Sequence, residues 1–127
     1  MNLGYVLDHT ALGALGAGNR QLSRMIHAAH ESPNETLYVP ALCLVAAVAD
    51  RPAIADHVGS LSELDIVELD YSAAATTGRM IARGIDWRAA HAIHVGRPTP
   101  DWPRGRPVVT AEPKPYVGQG VSVIAVR

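Results

Sequence analysis

The sequence predicts a single α/β domain with three layers, a central and mostly parallel sheet lying between helices. Three observations predict it. Short apolar segments of strand character alternate with segments of helical periodicity, the pattern of a parallel sheet covered on both faces. The chain has 127 residues, within the roughly 100–200 residues of one domain and enough to bury a core without disulfides. Carboxylates stand where two strands run out and where one helix begins. In open α/β sheets, ligands bind outside the carboxyl ends of the strands.

The elements follow in order. Tyr5-Val6-Leu7 reads as a buried strand ending at Asp8. Residues 9–17 are small and apolar and predict a short helix, with Gly16 and Gly18 as breakers. Asn19 caps a second helix carrying Leu22, Met25, Ile26 and Ala29 at helical spacing. Residues 32–35 form a loop, and Leu37-Tyr38-Val39 is a short strand. Pro40 sits in the first turn of the next helix, where proline is tolerated. That helix carries Leu42, Leu44, Val45 and Val48 and ends at Pro52. Residues 53–58 add a further short helix, and residues 66–69 a strand.

Asp70 or Ser72 caps a helix through Ala75, Met80 and Ile81 that ends near Gly84. Asp86 opens another, which runs to about Val95. Residues 97–105 form a proline-rich loop. Val108-Val109-Thr110 is a strand, and Pro113 and Pro115 prevent its continuation as a central one. Residues 121–126 are a last strand. No internal repeat or disordered tail is evident.

Composition narrows the class. Hydrophobic residues make up 48% and aromatic residues only 5%, with no Phe, so the core rests on Leu, Ile, Val and Ala. A formal net charge of −1 excludes a general attraction to nucleic acid and leaves only local patches. Cys43 is the only cysteine and sits in an apolar run, which excludes an intrachain disulfide and fits a reducing compartment. The start, Met1-Asn2-Leu3-Gly4, lacks the basic region and apolar stretch of a signal peptide. The longest apolar run, residues 39–49, is too short for a membrane span. The expectation is a cytoplasmic protein with no membrane role.

Asp8, Asp86 and Glu112 are carboxylates brought from distant parts of the chain toward one sheet edge. Hard divalent cations such as Mg²⁺ or Mn²⁺ prefer oxygen ligands of this kind. Each also has a plainer reading. Asp8 suits an N-cap, Asp86 suits the positive end of a helix dipole, and Glu112 suits an exposed loop. Asp50 lies one helical turn beyond Ala46 on the same face, a displacement of about 5–6 Å that is large for a metal cluster. His91 and His94 share a helix face, but no third nitrogen or sulfur ligand is evident for zinc. His9 adjoins Asp8, whereas His27 and His30 read as solvated. Trp102 with Arg104 and Arg106 offers a local phosphate-and-stacking surface, or simply a solvated loop. No Gly-rich phosphate loop is present.

The order of these segments resembles the PIN-domain family, which includes VapC-like toxin ribonucleases. Leu7-Asp8-His9-Thr10 resembles the family's first motif and residues 39–46 the second. Asp86 with His91-Ala92 resembles the third, and Val108-Val109-Thr110-Ala111-Glu112 the fourth. The resemblance implies a PIN-like fold, with Asp8, Asp86 and Glu112 as ligands of Mg²⁺ or Mn²⁺. Thr110 would support the cluster, and Thr10 would place a hydroxyl near the scissile phosphate. The chain departs from the pattern at Ala46, where the family carries a Glu, and at Glu112, which replaces the usual Asp.

What the resemblance implies is a metal-dependent endoribonuclease with a weakened acidic site, the toxin of a toxin–antitoxin pair. Its partners would be RNA, an antitoxin protein and, through alanine-rich surfaces, a second copy in a homodimer. A rival expectation is a catalytically silent PIN-like module that binds RNA or a protein. A third, a receiver-like domain, has only Lys114 as its late lysine.

Overall fold

The computed structural model describes residues 2–127, so Met1, part of the leader argument above, lies outside the described residues. The elements in chain order are β1 (Leu3–Leu7), α1 (His9–Gly16), α2 (Arg20–Glu31), β2 (Glu35–Pro40), α3 (Ala41–Asp50), α4 (Ile54–Gly59), β3 (Leu64–Val67), α5 (Tyr71–Ala82), α6 (Trp87–Gly96), β4 (Val108–Thr110) and β5 (Val123–Ala125). A single 3₁₀ turn, Lys114–Tyr116, lies between the last two strands.

The strands form one sheet in the order β3-β2-β1-β4-β5, and every pairing is parallel. Side chains of successive strand residues point to opposite faces, so β1 feeds two cores. Leu7 joins Leu12, Leu22, Leu37, Val39, Ile54 and Val109 in the core beneath α1 to α4. Val6 joins Met80, Ile93, Val95 and Val108 in the core beneath α5 and α6. Helices cover both faces, as a parallel sheet requires. No helix among the described residues is long and apolar enough to cross a membrane.

Several boundaries differ from the sequence reading, among them earlier starts of β1 at Leu3, β2 at Glu35 and β3 at Leu64. β3 ends at Val67 rather than Leu69, because its register against β2 pairs Leu37 with Leu64 and runs out at Pro40–Val67. Pro40 is the N-cap of α3 rather than a first-turn residue, with extended backbone (ψ 134°) and no side-chain cap bond. β5 is confined to residues 123–125, matching the three residues of β4 beside it. Cys43 is fully buried, as its apolar neighbours suggest.

The strand order reverses between β1 and β4. At such a switch point adjacent connections leave in opposite directions and open a crevice at the carboxyl edge. Asp8 follows β1 there, and Thr110 ends β4.

Candidate functional site

Asp8 is the N-cap of α1, and its Oδ1 accepts from the Ala11 N–H at 2.9 Å. The same oxygen accepts from the Thr10 hydroxyl at 2.7 Å. Its Oδ2 accepts from the Tyr116 hydroxyl at 2.6 Å. The carboxylate thus holds three donors and is 1% exposed. Buried charge is tolerable only when hydrogen bonded in this way.

The proton order of the threonines follows. The Thr10 hydroxyl gives its proton to Asp8 and accepts from the Ala111 N–H at 2.8 Å. Thr110 lies 3.0 Å from Thr10, so its hydroxyl must donate across that gap. Thr110 in turn accepts from the Glu112 N–H at 3.0 Å. The relay runs from the chain after β4, through Thr110 and Thr10, into Asp8. It ties the ends of β1 and β4 together at the switch point.

Tyr116 was not singled out by the sequence reading. The 3₁₀ turn carries it back under the sheet edge, where it is 2% exposed. Burial first, and the Asp8 charge second, push its hydroxyl pKa well above the ordinary value. The phenol therefore stays protonated and remains a donor. Pro113 at its N-cap and Pro115 within the turn were legible only as strand breakers.

Asp86 caps α6, with its Oδ1 accepting from the Arg88 N–H at 2.9 Å. Arg88 also grips both carboxylate oxygens, from Nε at 3.2 Å and from Nη2 at 2.8 Å. Those bonds hold the Asp86 carboxyl below the usual range and raise the guanidinium's own pKa. The fields of Asp50 and Glu112 act on Arg88 in the same sense. A tethered cation thus sits among the acidic side chains. Glu112 and Asp50 are exposed, and Ala46 is buried at 2% exposure.

The structure therefore joins Asp8, Thr10 and Thr110 directly. It leaves Asp86 engaged with Arg88, and Glu112 linked to the cluster only through its backbone. No three His, Cys, Asp or Glu side chains among the described residues form a group able to hold a metal ion. The donor set does not fit a hard divalent cation, which needs several oxygens free to converge. Of the expected ligand trio, Asp8 is hydrogen bonded to Tyr116 and Asp86 to Arg88, and Glu112 is exposed.

The histidines separate. His91 is fully buried, and its Nδ1 accepts from the Leu42 N–H at 3.3 Å, capping α3 where Pro40 offers no side chain. Its Nε2 is buried with no partner among the described residues. Burial, with a smaller contribution from His94, lowers its pKa to about 4. His94 stacks on it at 6.4 Å between centroids, and the pair reads as packing. His30 is exposed and meets Glu63 at 2.9 Å.

The comparisons bear on this geometry. No family model matches the sequence. No curated protein sequence matches it either. A chain in the crystal structure of VapBC2 from Rickettsia felis, bound to a DNA fragment from their promoter, has the same fold. The match has a TM-score of 0.65 and 14% identity, over 98% of this chain and 100% of that one. At that identity the likeness is one of fold, and the architecture is the PIN-like three-layer α/β/α expected from the sequence.

Proposed function

We propose that the chain is a catalytically silent PIN-like module that works by holding a protein partner. The observation that carries this reading is the 2.6 Å bond from Tyr116 to the buried Asp8. In the nuclease reading, that carboxylate must face a metal ion that activates water. Here its two oxygens are held by a phenol, a threonine and a backbone amide. Ala46 supplies no replacement ligand, and Arg88 balances Asp86 without an external cation.

A protein partner is favoured over RNA by two features of the same edge. Asp86, Glu112 and Asp50 all act electrostatically on Arg88 at this edge, and their negative charges disfavour phosphate. The elements that frame it also expose apolar side chains: Val45 of α3 (56%), Trp87 of α6 (41%) and Val117 after the 3₁₀ turn (76%). Tryptophan is enriched among interface hot spots. An antitoxin-like partner is the kind of protein this reading expects, by analogy with the toxin–antitoxin neighbour.

The test is cleavage and binding of a fluorescent single-stranded RNA at micromolar protein, with Mn²⁺ or with a chelator. The expected outcome is no metal-dependent cleavage and no anisotropy change. Mn²⁺-dependent cleavage that disappears in Asp8→Asn would overturn the proposal.

A further inference from the structure

The sheet face beneath α2 carries a cleft that the Asp8 cluster does not use. The sheet is notched at its amino end, because β4 joins β1 only at Val6 and Leu7. Tyr5 therefore has no paired strand residue on that flank, and β5 joins the sheet only through β4. α2 crosses above with Gln21, Arg24, Met25 and Ala28 lining the cleft, the i, i+3, i+4 and i+7 stripe of one helix face. Ala28 contributes only a methyl group to it.

The cleft has a volume of about 370 Å³, within the roughly 300–1,000 Å³ of small-molecule sites. Its floor is apolar: Tyr5 of β1 pairs with Leu37 of β2, and Ile124 of β5 completes the lining. Glu35 stands two residues before Leu37, so its side chain leaves the same face of the sheet. Arg24 is exposed and Glu35 partly exposed, so both charges of the lining reach solvent. They share the cleft without meeting. The ion pairs among the described residues are His30–Glu63 and Arg88–Asp86, so Arg24 and Glu35 pair neither with each other nor with another charged side chain. Two opposite charges held apart over an apolar floor fit a ligand that carries both charges and an apolar body.

We propose that this cleft binds a free α-amino acid with an apolar side chain, its carboxylate on Arg24, its ammonium on Glu35 and its side chain over Tyr5, Leu37 and Ile124. A guanidinium presents paired N–H donors to a carboxylate. An ionised glutamate accepts from an ammonium. One ionic contact at an accessible site is weak, so the ligand is held by both contacts together and by burial of its apolar side chain. Met25 in the wall adapts to side chains of different shape. A fatty acid or an amine leaves one of the two charges without a partner, and the zwitterion is preferred to either. The cleft shares no residue with the Asp8 cluster and stands independently of the function proposed above.

The test is NMR titration of the protein with L-leucine and L-phenylalanine, beside two leucine analogues: isocaproate, which lacks the ammonium, and isoamylamine, which lacks the carboxylate. The expected result is saturable shifts confined to the Met25 and Ile124 methyl groups and the Tyr5 ring. Leucine is expected to bind at least about tenfold tighter than either analogue, the scale of one charge-assisted hydrogen bond. Arg24→Gln is expected to erase the advantage of leucine over isoamylamine, and Glu35→Gln its advantage over isocaproate. The proposal fails if neither amino acid gives a saturable shift up to about 10 mM, weaker than the millimolar limit of useful binding. It also fails if the shifts lie elsewhere, if either analogue binds as tightly as leucine, or if either variant binds leucine as the wild type does.

Discussion

At the scale of single residues, the decisive pair is Asp8 and Tyr116. Asp8 was legible in the sequence because a carboxylate between an apolar strand and a helix start sits at the carboxyl edge of the sheet whether it caps the helix or serves a site. Tyr116 was not, because its role depends on a turn that returns 108 residues later to the same oxygen. Tyr116→Phe removes one donor from a buried carboxylate and is expected to cost about 1–3 kcal/mol, read as a lower urea midpoint. An unchanged midpoint would mean that the bond holds nothing. His91 gives a second prediction. Its pKa falls from 6.5 to about 4 on folding, so between those values the unfolded chain binds more protons. Its contribution is therefore complete above pH 6.5 and is lost as pH falls through about 4. The loss is about 3 kcal/mol by pH 4, since protonating Nδ1 also breaks the cap on Leu42. Denaturation midpoints across this range should fall more steeply for the wild type than for His91→Gln. Parallel slopes would exclude His91 as the titrating group.

At the scale of elements, alternating apolar and helical segments were enough to place the five strands and the helices in order. Boundaries were less legible, because partners in the sheet set them. Residues 66–69 read as a strand by composition, yet β3 ends at Val67 because β2 stops at Pro40. The 3₁₀ turn was hidden because three residues carry no period. Capping was readable where the cap is local, as at Asn19 and Asp70. It was unreadable at α3, whose cap arrives from α6. The proline-rich loop shows how a turn serves the sheet. Gly105 has φ +72°, and a Cβ there would collide with the Gly96 carbonyl. Gly105→Ala is expected to destabilise the fold by about 2 kcal/mol or more, seen as a lower melting temperature. A melting temperature equal to the wild type's would show that the loop accommodates a side chain.

At the scale of the whole molecule, the order of the strands explains both what sequence could show and what it could not. Acidic residues at strand ends imply a carboxyl-edge site in any parallel sheet, and the switch point between β1 and β4 gathers Asp8, Thr10 and Thr110 there. Whether such a site receives a cation depends on its remaining neighbours, and these come from segments with no motif of their own. Arg88 follows Asp86 by two residues in a helix start that the sequence reads as a metal ligand or a cap, with no sign of a paired cation. Ala46 was the one visible sign that the acidic set is incomplete. The central claim is that the chain satisfies this edge with its own hydrogen bonds and its own cation. The most direct measurement is Mn²⁺ calorimetry on the wild type beside Asp8→Asn. The account predicts no saturable heat in either protein at millimolar metal. Saturable binding in the wild type that Asp8→Asn abolishes would contradict it.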